Sequence, residues 1–108
     1  MNGNVIELDD ANFAREVLGA RNPVVVEFWA GWSDPCHAMA QALDSVAGDD
    51  TVPVKVARVN VEQHEELAEQ YGVRAVPTLL IFNEGGLRGE IVGRASEQQL
   101  REKLHDLK

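Results

Sequence analysis

Phe28-Trp29-Ala30-Gly31-Trp32-Ser33-Asp34-Pro35-Cys36 is the stretch on which the reading of the fold turns. Upstream, Val24-Val25-Val26-Glu27-Phe28-Trp29-Ala30 follows Pro23 as a nearly continuous apolar run. Such a run suits a central strand, because neighbours on both faces remove its side chains from water. Downstream, Cys36, Met39, Ala40, Leu43, Val46 and Ala47 keep the 3.6-residue period of an amphipathic helix, and Gly48 stops it. Between the two, Ser33-Asp34-Pro35 is a good helix start. The Ser33 oxygen can accept the N–H of Cys36, Asp34 complements the positive end of the helix, and proline is tolerated where no intrahelical N–H is needed.

The same reading extends to both termini. Val5 to Leu8 is a short strand, Asp9 can cap the helix that follows, and Leu8 and Phe13 have the spacing of a hydrophobic staple. That helix runs to about Leu18, with Gly19 as its stop. Val54 to Val61 is a second buried strand, interrupted by Lys55 and Arg58. His64 to Tyr71 forms a short helix, with Gly72 where a left-handed cap is expected. Thr78 to Phe82 is a third core strand, Glu84-Gly85-Gly86 is a hairpin signal, and Leu87 to Val92 returns as the partner strand. Ser96 and Gln99 form a capping box ahead of an apolar stripe of Leu100, Leu104 and Leu107. The order βαβαβαββα predicts an α/β fold, a mixed sheet with helices on its faces.

The bulk properties bound the function. A chain of 108 residues, 44% hydrophobic, suits a single domain spanning 1–108 with one core. The net charge is -8, with 18 acidic against 10 basic residues and no Lys/Arg-rich block, so nucleic acid and anionic membranes are poor partners. One cysteine precludes an internal disulfide and fits a reducing compartment. No apolar run approaches the roughly 20 residues of a spanning helix, and Met1 to Asp10 lacks the layout of a signal peptide. A cytoplasmic monomer is the expectation. His37, His64 and His105 are scattered, so neither a metal nor another cofactor is expected.

Phe28 to Cys36 resembles the segment F-W-A-x-W-C-G-P-C of the thioredoxin family. Val73-Arg74-Ala75-Val76-Pro77-Thr78-Leu79-Leu80-Ile81-Phe82 is similar to the family segment in which a cis-proline precedes a core strand, and Val92-Gly93 to its glycine corner. The likeness runs from about Val5 to the C-terminus. It implies a thioredoxin fold, with five strands flanked by four helices, and a cis bond between Val76 and Pro77. It also implies disulfide oxidoreductase chemistry in cell redox homeostasis, with protein or peptide thiols and disulfides, or glutathione, as partners.

The departures from the family pattern bear on chemistry. Ser33 stands where the resemblance places the attacking cysteine, and an alcohol supplies neither the anion nor the mixed disulfide. Cys36 keeps the resolving position, and one thiol cannot complete a dithiol cycle. A free thiol is only a few per cent ionised at neutral pH. A recessed site and the charge of Asp34 disfavour the thiolate, whereas a hydrogen bond from Ser33 and the helix N-terminus favour it. Glu27 matches the family's buried carboxylate beneath the site, one methylene longer, and Arg58 matches its cationic partner. His37 adjoins Cys36, but helix neighbours point about 100° apart, which disfavours a Cys–His pair. Gln41 replaces a helix-kinking proline, and Arg94 stands where relatives often have a small residue. By the resemblance, Trp32, Asp34, Pro35, Val76, Pro77 and Gly93 form a peptide-binding face. Three readings stay open: monothiol exchange at Cys36, an inert buried Cys36, and a binding module that carries no electrons.

Overall fold

The computed structural model describes residues 5–106. The elements are β1 (Val5–Glu7), α1 (Ala14–Leu18), β2 (Val24–Trp29), α2 (Asp34–Ala47), β3 (Lys55–Asn60), α3 (Glu65–Gln70), β4 (Thr78–Asn83), β5 (Gly86–Val92) and α4 (Glu97–His105). The strands form a five-stranded sheet in the order β1-β3-β2-β4-β5. β3 pairs parallel with β1 and β2, while β4 pairs antiparallel with β2 and β5. This is the mixed sheet with four flanking helices read from the sequence.

Alternation along each strand divides the core in two. Val24, Val26 and Phe28 of β2 join Ala57, Val59, Leu80 and Phe82 under Phe13 and Val17 on one side and Leu67 and Ala68 of α3. Val25 joins Val56, Leu79 and Ile81 beneath Met39, Leu43 and Val46 of α2 and Leu100 and Leu104 of α4. β2 is buried on both faces, which explains its unbroken apolar run. Glu27 shares the parity of Val25 and lies on the α2 side of the sheet.

Local signals place the ends of the elements. Asp9 caps the first helical turn, its Oδ1 accepting from the backbone of Ala11 at 2.9 Å and Asn12 at 2.8 Å. Beyond it α1 departs from the α-helix expected. Over Ala14–Leu18 it is π-helical, and the amide N of Gly19 reaches back to the carbonyl of Ala14 at 2.9 Å. Phe13 and Val17 are buried here, and their spacing of four also suits one face of an α-helix, so the hydrophobic pattern does not distinguish the two coilings. Gly72 has φ +68 and closes α3 as a left-handed cap. The capping box is present at both bonds: Gln99 N donates to Ser96 Oγ at 3.0 Å, and Ser96 N to Gln99 Oε1 at 2.8 Å. Arg101 ties α4 to the segment after α2 through Asp49 at 2.7 Å, and holds Glu97 at 2.9 Å. In the expected stripe Leu100 and Leu104 are buried, and Leu107 lies outside the described residues.

The β4–β5 hairpin pairs Asn83 with Gly86 across Glu84 and Gly85, whose φ values are 52° and 80°. Both residues of the turn are left-handed, as a type I′ connection requires. Gly85 adopts this freely, but Glu84 carries a Cβ against it. Glu84→Asn is therefore expected to stabilise the fold by up to about 1 kcal/mol, read as a higher urea midpoint at unchanged slope. A lower midpoint would show that Glu84 contributes something else to the turn.

Candidate functional site

Strand pairing brings the segments of interest to one end of the sheet. Phe28 pairs with Thr78 and Thr78 with Val92, so the chain leaving β2, the chain entering β4 and the chain leaving β5 emerge side by side. Trp29 to Ser33, Val76-Pro77 and Gly93 therefore share one surface. The Val76–Pro77 peptide is cis. Pro77 is buried and Val76 half-buried. The amide N of Gly93 donates to the carbonyl of Pro77 at 2.8 Å and fastens the two loops together. Gly93 has φ +84 with open space where a Cβ would stand, so it is the backbone conformation, not crowding, that calls for glycine.

Ser33 and Cys36 are held inside. Ser33 is the N-cap of α2, its Oγ accepting from the Cys36 amide N at 3.3 Å. Ser33 is 3% exposed and Cys36 has no exposed surface. Asp34 is exposed and Pro35 half-buried at the rim. Trp32 is 72% exposed, a large apolar side chain left in water at the tip of the loop.

Two side chains that the sequence reading did not assign to the site hold that tip. The amide N of Gly31 donates to Glu62 Oε1 at 3.2 Å, and the Gly31 carbonyl accepts from His37 Nε2 at 3.0 Å. Glu62 is itself placed by a turn in which its N–H meets Asn60 Oδ1 at 2.9 Å. His37 thus faces the loop backbone, one helical step away from Cys36. Glu62 reaches Gly31 across 31 positions of sequence, and no local pattern announces such a contact.

Beneath the loop lies a buried charge. Glu27 is fully buried and accepts from Arg58 Nε at 2.8 Å through Oε1. The guanidinium carbon of Arg58 sits 4.3 Å from the centre of the Trp29 ring. Glu27 Oε2 and Trp29 Nε1 have no hydrogen-bond partner among the described residues. Burial pushes the Glu27 carboxyl up from 4.5 to about 7. The attraction of Arg58 opposes this, and the nearby carboxylates Glu7 and Asp44 add to it.

Other parts of the surface do not share this convergence. A cleft of about 340 Å³ lies at the other end of the sheet between Pro23, Pro53, Val54 and Leu104. Arg101, at its edge, is already occupied by Asp49 and Glu97. No group of three or more His, Cys, Asp or Glu side chains able to hold a metal occurs among the described residues. No helix there is long and apolar enough to cross a membrane.

The family model described as Thioredoxin matches residues 4–106. The Thioredoxin of Pseudomonas aeruginosa is 38% identical over 100 residues, covering 93% of each chain. Thioredoxin 1 of Synechococcus elongatus is 40% identical over 95 residues, covering 88% of this chain and 89% of the relative. Thioredoxin C-2 of Corynebacterium nephridii is 37% identical over 100 residues, again covering 93% of each.

The Glu27 carboxyl makes stability fall with rising pH. Between 4.5 and about 7 the folded chain holds a proton that the unfolded chain has lost. The contribution is fully present below 4.5 and is lost as pH rises through about 7. Its full extent is about 3 kcal/mol. Glu27→Gln is expected to remove this slope, leaving an unfolding free energy that changes less between pH 5 and pH 8 than that of the parent. Urea titrations of both chains at each pH check it, and parallel profiles would contradict the assignment. Asp49, lowered to about 2 chiefly by Thr51 and then Arg101, acts only at more acid pH.

Proposed function

The chain belongs to the thioredoxin family, a family of disulfide oxidoreductases, and from that premise we propose that it is a member that binds extended peptides through the Trp32–Pro77 face and runs no dithiol cycle. The observation that carries the reading is the contrast at the loop: Trp32 is 72% exposed while Cys36, the one thiol, has no exposed surface.

The chemistry follows from atom counts. Reducing a disulfide takes two electrons. In a dithiol cycle one thiolate attacks a substrate sulfur and a second displaces the mixed disulfide, leaving the protein oxidised. Ser33 occupies the attacking position, and its oxygen is engaged as the cap of α2. Cys36 then has no second thiol in the chain with which to release a substrate. Glu27, whose relatives' counterpart sits beneath the resolving thiol, is directed to Arg58 and supports the loop from below. Cys36 fits the role of a small apolar side chain in the first turn of α2.

The binding half of the machinery remains. An extended peptide can be held by backbone groups at an exposed edge and by one aromatic side chain over it. Val76, Pro77 and Gly93 would supply the edge, and Trp32, with Asp34 and Pro35 at the start of α2, the rim. Trp32 has the properties of an anchor: a large contact area, few rotatable bonds, and a place next to Gly31, whose backbone Glu62 and His37 hold.

The folded thiol is expected to resist a maleimide or iodoacetamide at neutral pH and to react fully once the chain is unfolded in urea, as read by adduct mass. Labelling of the folded chain at the unfolded rate would overturn the inert assignment and support monothiol exchange, with glutathione or a partner thiol resolving the mixed disulfide. Ser33→Cys is expected to create a chain that forms an internal disulfide, seen as a loss of two hydrogens in mass, and that reduces a disulfide substrate with a dithiol as electron source. The parent should stay at the buffer rate.

A further inference from the structure

We propose that Arg74 and Arg94 make the peptide face selective for acidic extended peptides. The inference rests on the peptide-binding reading above and adds to it the charge of the partner and its orientation.

Arg74 lies three residues before Pro77, in the segment that leads into the cis bond. Arg94 directly follows Gly93, which the 2.8 Å bond from its amide N to the Pro77 carbonyl fastens beside that proline. Thr78 pairs with Val92, so the two segments leave the sheet as neighbours. One arginine therefore lies in each of the two segments that border Pro77. Both are exposed.

The chain has 18 acidic and 10 basic residues, so carboxylates are abundant. Arg15, Lys55, Arg58 and Arg101 all take part in ion pairs. Among the described residues Arg74 and Arg94, like Arg21, Arg88 and Lys103, are in no ion pair and no side-chain hydrogen bond, and of these five they are the two that adjoin the Pro77–Gly93 segments. No described residue engages their guanidinium forks, whose donors can meet an incoming group. A guanidinium matches a carboxylate with two parallel N–H···O bonds, which an amide or a hydroxyl does not reproduce.

The opposite lip has the opposite sign. Asp34 is exposed in the first turn of α2, and Glu62 lies against Gly31. The face therefore has a cationic side along Pro77–Gly93 and an anionic side along the Trp32 loop. A peptide whose acidic side chains fall at Arg74 and Arg94 satisfies the cations. The residues that cross Trp32 and Asp34 are then apolar or basic. Side chains two apart in an extended strand point the same way, so carboxylates at alternate positions can meet both arginines from one face of the peptide.

The net charge of -8 decides between partner classes. A polyanion such as nucleic acid or an anionic membrane meets the whole surface, which repels it. A short peptide meets only the charges of this face, and can lay its carboxylates along the cationic side, because fields beyond about 10 Å are screened at ordinary salt.

The test uses three cysteine-free peptides of one length and β-rich composition, carrying Glu, Gln or Lys at the same alternate positions. Each is titrated into the full chain, with backbone amide NMR shifts reporting both affinity and location. We expect shifts at Trp32, Val76 and Gly93. The Glu peptide should bind about tenfold more tightly than the Gln peptide, about three- to fivefold for each arginine, and the Lys peptide more weakly than either. In the double variant Arg74→Gln, Arg94→Gln the ratio of Glu to Gln affinities should fall to about one. Both substitutions are at exposed positions, and an unchanged amide spectrum elsewhere verifies the fold. If all three peptides bind the face equally, charge selection is wrong while peptide binding stands. If a Glu preference persists in the double variant, the arginines are not its cause. If no peptide shifts the face, the binding reading falls and this inference falls with it.

Discussion

Pairing of β2 along both of its edges is the constraint on which the rest of the structure depends. From Val24 to Trp29 every position has a partner on β3, and from Val24 to Phe28 every position has one on β4. A strand so enclosed has no edge in water, and its faces must be covered as well. The helices on either side follow from that demand: α1 and α3 over Val24, Val26 and Phe28, α2 and α4 over Val25. The geometry of the site follows too. Because β3 runs parallel to β2 and β4 antiparallel, the end of β2 releases its loop beside both the start of β4 and the turn after β3. Glu62, Pro77 and the Trp32 loop meet there through backbone register alone.

Glu27 is the one charge placed within that enclosure. An unpaired carboxylate in such surroundings is costly, and a single hydrogen-bonded arginine offsets only part of the cost. The raised Glu27 carboxyl expresses this imbalance, since burial outweighs Arg58. Arg58 in turn lies against Trp29, so the ion pair and the base of the site loop are one packed unit. Glu27 thereby positions Arg58 over the Trp29 ring at the base of the loop.

Thiol chemistry and peptide binding at this loop are separable in physical terms. Covalent chemistry at this loop needs a particular atom, sulfur, at a particular place. Peptide binding needs only exposed apolar area, backbone groups at an edge, and complementary charge. A serine removes the first requirement while serving as a good helix cap, so the loop keeps its shape.

Residue pattern alone determined the element order, the layers and the ends of most helices. Those features depend on periodicities and caps that act over a few residues: the apolar run of β2, the Ser96–Gln99 box, the Glu84-Gly85 turn. The single cysteine was legible in the same way, because counting cysteines needs no coordinates. The Glu27–Arg58 pair was anticipated through family likeness, and its geometry came only from register. Tertiary structure alone decided the π coiling of α1, since the spacing of Phe13 and Val17 suits an α-helix as well. It also decided the clamp of Glu62 and His37 on Gly31, the stacking of Arg58 on Trp29, and the balance of burial against pairing at Glu27. Each of these depends on distances between segments remote in the chain, and the free energy of a buried charge depends on everything packed around it.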